Sequence, residues 1–485
     1  MSFFIRKSGK PVESKKGKRG RSAAASKSEG TAAKQRRRRK PLVEEEIESD
    51  EDEEVEDGDR IENDDDDEEA EEAESAQQKR LHLAKEYLAQ LRGDVEGATT
   101  EGDGDAEQLL AHKLQEETLD RLGRLYRKIA ASVVVSQSES REIATEKRFK
   151  LPGYGSSPPL CLHVTSQGSH CYSASKDGRL IKHDLETGKY VRSMRLTKRS
   201  GIHSVTTDGP DQKLCVGCGD SKISIFDSRS FELIKDFTGH RDTVSGLTTR
   251  RGSSQLYSCS HDKTVKVWDL DQMGYVDTLF GHKDAIASID ALTKERCLTA
   301  GGADRTLRLW KLASESQLLF NAPQLCGAVD CARLINDDHF ISGHMDGSLS
   351  LWSAFKKRPL FIQAAAHGSD SSWIVSLAAC PYSDLVASGS RDGFVRLWKV
   401  GEGYRSLQPA GVTPVRGFVN DMRLVQVGSP NEAPSVTNSN LNSNQRLLLV
   451  CAVGREHKLG RWWKQSGSRN SVVTVVVKTG EDREN

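Results

Sequence analysis

The chain has 485 residues, of which 36% are apolar and 29% charged, too polar on average for a single globule of that length. No apolar run approaches the length of a membrane span and no apolar core follows the N-terminus, so neither membrane insertion nor secretion is expected. The 70 basic and 70 acidic side chains cancel, but they are segregated, and the net charge of zero conceals two opposite blocks.

From Arg6 to Lys40 almost every charge is positive, ending in Arg36-Arg37-Arg38-Arg39-Lys40, and from Glu44 to Glu74 almost every charge is negative. Neither block has enough apolar surface to offset the entropy of ordering, so residues 1–75 are expected to form a disordered tail. The basic run fits a nuclear or nucleolar address or a nucleic-acid patch. The acidic run fits a holder of basic partners or a shield for the arm before it. Helical periodicity returns within 76–135. Leu81, Ala84, Leu88 and Leu91 share one face of Gln77 to Arg92, and Leu110, Leu114, Leu122, Leu125 and Ile129 share one face of Ala106 to Ala131. The glycine-bearing stretch from Gly93 to Gly104 separates these two short helices, which either pack on the following domain or dock elsewhere.

Beyond residue 145 the chain repeats itself about every 42 residues: an Asp-containing turn, then an alternating apolar run that ends on an aromatic side chain. The turn aspartates are Asp177, Asp220, Asp262, Asp304, Asp346 and Asp392. Six residues after each come His183, Phe226, Trp268, Trp310, Trp352 and Trp398. Gly239-His240, Gly281-His282 and Ala366-His367 precede three of the units. This period and phrase are those of WD40 blades and predict an all-β fold, a seven-bladed WD40 β-propeller over 145–478. Burying a blade's polar groups demands partners, so each Asp is expected to accept from the preceding imidazole, which in turn reaches the strand Ser and the indole. His240, Asp262, Trp268, His282, Asp304, Trp310, Asp346, Trp352, His367, Asp392 and Trp398 are thereby structural. A catalytic His-Asp-Ser triad occurs once in an enzyme, whereas this set recurs.

The seventh unit is degenerate. It begins near Val415-Arg416-Gly417-Phe418-Val419, carries an Asn/Ser/Pro-rich insert over 428–444, resumes at Leu447 and ends with His457 to Trp463, Glu456-His457 standing where the turn Asp belongs. The β-branched run Ser471 to Val477 reads as one more strand, so either it or the segment around Arg148-Phe149-Lys150 completes the last blade; 479–485 is a short tail.

The ten cysteines lie mostly in predicted strands, as small buried hydrophobes of a reducing compartment do. Cys215 and Cys218 match C-x-x-C, but residues three apart in a strand point to opposite faces and no second pair follows. Gly217 to Lys222 lacks the spacing and helix of a phosphate loop. Nothing here calls for a metal, a cofactor or a small-molecule substrate, and no catalytic constellation is visible.

Several phrases are more specific than a generic repeat: Lys79 to Leu88, Phe237 to Leu247, Arg250-Arg251-Gly252, Thr278 to His282, Lys356-Lys357-Arg358-Pro359-Leu360, Gly401 to Arg405 and Gly454 to Trp463. From Gln77 to the C-terminus the chain resembles the WD-repeat proteins associated with the U3 small nucleolar ribonucleoprotein. The resemblance implies a non-enzymatic, nucleolar scaffold of the small-subunit processome. It implies binding of U3 small nucleolar RNA at the box B/C motif beside a kink-turn-binding small nucleolar protein, in the cleavages that release 18S ribosomal RNA. Rigid loops can set cations against phosphates while the RNA supplies sequence recognition. The residues expected to do so are Arg250 and Arg251 in one hairpin, Lys356, Lys357 and Arg358 in a turn, and Arg455, Lys458 and Arg461 of the last blade. The competing readings are a chromatin- or ubiquitin-ligase-type propeller that grips a peptide, and a hydrolase, which needs a unique nucleophile or metal cluster.

Overall fold

The computed structural model describes residues 81–87, 111–119, 124–133, 145–151, 155, 157–197, 200–323, 326–368, 373–427, 446–460 and 464–477. The expected disordered tail, residues 88–92 of the first helix, the insert 428–444, the last residues 479–485, and Lys198, Arg199, Arg461, Trp462 and Trp463 lie outside them.

Seven antiparallel sheets of four strands succeed one another along the chain. Their innermost strands are Pro159–Val164, Ile202–Thr207, Val244–Thr249, Ile286–Ala291, Val329–Leu334, Ser376–Ala379 and Phe418–Val427, which open blades 1 to 7. Each packs on the next, and Phe418–Val427 packs back on Pro159–Val164, so the ring closes around a channel. The inner three strands are covered on both faces by neighbouring blades, which explains their nearly continuous apolar character. Thus Leu214, Val216 and Phe226 of blade 2 pack with Tyr172 and Leu180 of blade 1, while Cys215, Ile223 and Ile225 pack with Leu247, Leu256 and Trp268 of blade 3. Cys218 belongs to the first cluster and Cys215 to the second, so the two thiols sit on opposite faces of one sheet and cannot share a ligand. Only the outermost strands are wet: Tyr190–Arg195 and Leu233–Phe237 are exposed along most of their length.

Blade 7 uses both candidate closing strands. Ser471–Val477 pairs with Arg446–Gly454, and Thr145–Leu151 adds outside it, with Arg148 opposite Val475. One sheet therefore joins the start of the propeller to its end.

The helical extension differs from its periodicity. Residues 81–87 and 111–119 are helical, and the Tyr87 hydroxyl donates to the Glu117 carboxylate. The second helix does not run on to Ala131. Arg124 N donates to Leu119 O at 2.7 Å, a helix-ending bond. Residues 124–129 then leave the helix, and a 3-10 turn follows at Ala130–Ser132. The propeller supplies the backbone partners that a helix would otherwise have provided: Arg127 N donates to Tyr382 O at 2.9 Å, and Ile129 N and Ala130 N donate to Asp384 Oδ1 at 2.7 and 2.9 Å. Ile129, Ala130 and Val133 join the core of blades 6 and 7.

Candidate nucleic-acid interface

Rigidity comes first, because a surface that positions cations must not yield. In blade 3, His240 Nδ1 lies 2.8 Å from Asp262 Oδ2, His240 Nε2 lies 2.8 Å from Ser258 Oγ, and Trp268 Nε1 donates to that same Oγ at 2.8 Å. The indole therefore ends on the serine, not on the imidazole. Blade 4 repeats the arrangement with His282, Asp304, Thr299 and Trp310, and blade 6 with His367, Asp392, Ser388 and Trp398. Burial opposes ionisation of Asp262, but the bonds from His240, Thr264 and the Arg241 N–H outweigh it and hold the carboxyl well below the usual range. Asp304 and Asp392 are lowered in the same way.

The remaining blades depart from this pattern. In blade 5, Trp352 Nε1 donates to Ser342 Oγ at 2.8 Å, but the imidazole is His344, from the strand itself, 3.0 Å from both Ser342 and Ser350. Asp346 binds no histidine; its Oδ1 accepts from Ser348 N and Oγ and fastens the turn. Gly343-His344 is also a Gly-His pair, but it stands two residues before the turn Asp346, whereas His240 stands 22 residues before Asp262. Among the described residues blade 2 has no such rivet, and both of its ends have changed together: Val216 stands at the place of Ser258 and Phe226 at that of Trp268. Replacing both partners leaves no orphaned polar group. A triad reading fails on access, because Ser258, Thr299 and Ser388 are fully buried.

The two faces of the ring differ in what covers them. One carries the first-to-second-strand hairpins and the third-to-fourth-strand turns; it is acidic, and the chain's own segment 124–130 lies across it at blades 4 to 6. Arg124 Nε donates to Thr293 Oγ1 at 3.1 Å and lies 3.8 Å from Asp337, Lys128 Nζ pairs with Glu402 at 3.2 Å, and Tyr126 stands edge-on to Tyr404.

On the opposite face, the loop 455–470 of blade 7 reaches over blade 6 and the channel mouth. Lys458 Nζ donates to Val375 O at 3.2 Å, Gln465 Nε2 donates to Arg391 O at 2.8 Å, and His457 packs on Trp373 with ring centroids 4.6 Å apart. Burial, followed by the charges of Lys458 and Lys176, holds His457 down at about 3, so it stacks as a neutral ring. The loop and its neighbour leave Arg416, Arg455, Lys464 and Arg469 exposed on one rim. Arg455 Nε donates to Ser468 O at 2.9 Å and Lys464 pairs with Glu456 at 3.1 Å, so two of these cations have fixed positions. Arg416 adjoins the loop, since its neighbour Gly417 abuts Ser468.

The basic residues expected from the sequence are not brought together. Arg250 is committed to structure: its Nε donates to Thr293 O at 2.8 Å and its Nη1 pairs with Glu295 at 2.7 Å, joining blades 3 and 4. Arg251 is exposed beside it. Lys356, Lys357 and Arg358 are exposed but do not form a turn; they begin the outer strand Lys356–Gln363, after the turn at Ala354-Phe355. Arg455 and Lys458 lie on the opposite face. Sequence reasoning missed Arg416, Lys464 and Arg469, which no local phrase marks and which only the folded loop assembles.

A WD domain, G-beta repeat model matches residues 231–269, 274–311 and 361–399. The chain is 43% identical to the U3 small nucleolar RNA-interacting protein 2 of Homo sapiens, over 84% of this chain and 83% of that one. It is 26% identical to the ribosomal RNA-processing protein 9 of Saccharomyces cerevisiae, over 83% of this chain and 89% of that one. The solved structure of U3-55K matches with a TM-score of 0.61 and 40% identity, covering 68% of this chain and 98% of that chain.

Proposed function

The chain belongs to the family of WD-repeat proteins associated with the U3 small nucleolar ribonucleoprotein, and on that premise we propose that it is a non-enzymatic, RNA-binding scaffold of that particle. It acts in the nucleolus in processing of the ribosomal RNA precursor toward 18S ribosomal RNA. The RNA side is the rim formed by Arg416, Arg455, Lys464 and Arg469, with Lys458 at the channel mouth. U3 RNA engages it through phosphates near the box B/C motif, beside a kink-turn-binding protein, with other processome proteins around them. The observation that supports this most is the pairing of a basic rim on one face with an acidic opposite face already covered by residues 124–130. Arg251 and the Lys356-Lys357-Arg358 cluster are secondary contacts on the hairpin side.

Fixed guanidinium groups on a rigid ring offer charge and geometry without reading bases, which leaves sequence recognition to RNA pairing. Replacing Arg416, Arg455 and Arg469 together by Glu is expected to abolish U3 RNA recovery with the tagged protein. It should also reduce the slope of log affinity against log salt by about 2. Undiminished U3 recovery from a folded triple variant would refute the rim assignment. Binding that resists salt and follows a peptide instead would favour the adaptor reading.

A further inference from the structure

The channel wall holds charges that the rim does not use. His163, Asp290, Arg333 and Arg423 occupy the same register position on the inner strands of blades 1, 4, 5 and 7, each two residues past the first pair after a bulge. They therefore stand at one level of the channel. Arg333 spans it: it lies 3.8 Å from Asp290 of blade 4 and 3.6 Å from Asp421 of blade 7, and its Nε donates to Leu377 O of blade 6 at 3.2 Å. Both carboxylates are also taken by backbone, Asp290 accepting from Leu334 N at 2.8 Å and Asp421 from Leu162 N at 3.0 Å.

Arg423 has no such partner. Its Nε is buried without a hydrogen bond, an arrangement that is costly for a charged group. His163 is left half-satisfied. Thr207 Oγ1 donates to Asp211, so it accepts from His163 Nε2 at 2.8 Å, and the buried Nδ1 keeps a free lone pair. Burial, then the charges of Arg423, Arg251 and Arg333, push His163 down to about 3, so its ring is neutral. The guanidinium groups of Arg333 and Arg423 thus share two carboxylates that are already engaged.

We infer that this level of the channel binds a small phosphoryl anion: inorganic phosphate or the terminal group of a phosphomonoester. Arg423 supplies the positive charge. A monohydrogen phosphate has the O–H that His163 Nδ1 lacks as a partner, whereas sulfate at neutral pH has none. The site is separate from the rim and does not depend on the RNA reading.

The test is thermal unfolding of the purified full chain with inorganic phosphate, adenosine monophosphate or sulfate at matched ionic strength. The midpoint is expected to rise by several degrees with phosphate or with the monophosphate, and little with sulfate. Response to both phosphoryl probes identifies the free ion as sufficient, and response to the nucleotide alone assigns the site to phosphomonoesters. Arg423→Met should raise the midpoint of the anion-free protein, because it removes a buried unpaired charge, and should abolish the response. Equal shifts with sulfate, a response that survives Arg423→Met, no response to any probe, or a lower baseline in Arg423→Met would each overturn the site.

Discussion

Replacing Ser258 by Ala removes one oxygen and orphans two groups. The Trp268 N–H and His240 Nε2 both end on that Oγ, each at 2.8 Å, and the position is fully buried, so water does not replace it. At about 1–3 kcal/mol for each unsatisfied buried group, the loss is about 2–6 kcal/mol, a large share of the stability of an ordinary domain. Ser258→Thr is the matched control, because Thr299 does the same work in blade 4, with His282 Nε2 at 2.8 Å and Trp310 Nε1 at 2.9 Å. Blade 2 suggests a second control: Ser258→Val combined with Trp268→Phe reproduces its Val216 and Phe226 and should cost less than the sum of the single changes. The assay is the urea midpoint followed by circular dichroism, at unchanged slope. Equal midpoints for Ser258→Ala, Ser258→Thr and the native chain would refute the idea that these networks stabilise the blades.

Asp384→Ala removes the carboxylate that receives Ile129 N and Ala130 N, and should expose Arg124, Arg127 and Lys128 to rapid trypsin cleavage, with a loss of about 2–4 kcal/mol. Arg250→Glu breaks the link to Thr293 and Glu295 and sets two carboxylates together, so it should lower the unfolding midpoint, whereas Arg251→Glu should not. Asp262, Asp304 and Asp392 are depressed in the folded chain, so their contribution is complete above the unfolded value of about 4 and is lost as pH falls below it. The urea midpoint should stay level from neutral pH to about 5 and fall below about 4, and Asp262→Asn should flatten that fall.

The ring was readable because its period is carried by residues that each blade needs locally: the turn aspartate, the imidazole and the indole are close in sequence and bonded within one sheet. Blade 5 hid its histidine because Gly343-His344 lies at the end of the second strand, just before the turn aspartate, and not ahead of the first strand where the other blades carry their Gly-His or Ala-His. The run through Ile129 looked helical because its spacing is apolar at the right period; Asp384, more than 250 residues away, captures those N–H groups instead. Arg250 looked like a ligand for RNA because adjacent arginines in a hairpin suggest exposure, while Glu295 lies in the next blade and is invisible to local reading. Of the rim, Arg455 and Lys458 were marked by the last-blade phrase, but Arg416, Lys464 and Arg469 were not, since Arg416 meets the 464–469 stretch only once the blade 7 loop has folded back.

Ultraviolet crosslinking of the tagged protein in cells, with the attached RNA sequenced and the crosslinked peptides mapped, tests the whole account most directly. A single U3 RNA species attached chiefly at Arg391, at Arg416 and within 455–470 is the predicted result. Diffuse RNA background, or U3 attached chiefly beneath residues 124–130, at Thr293, Asp337 or Glu402, would contradict it.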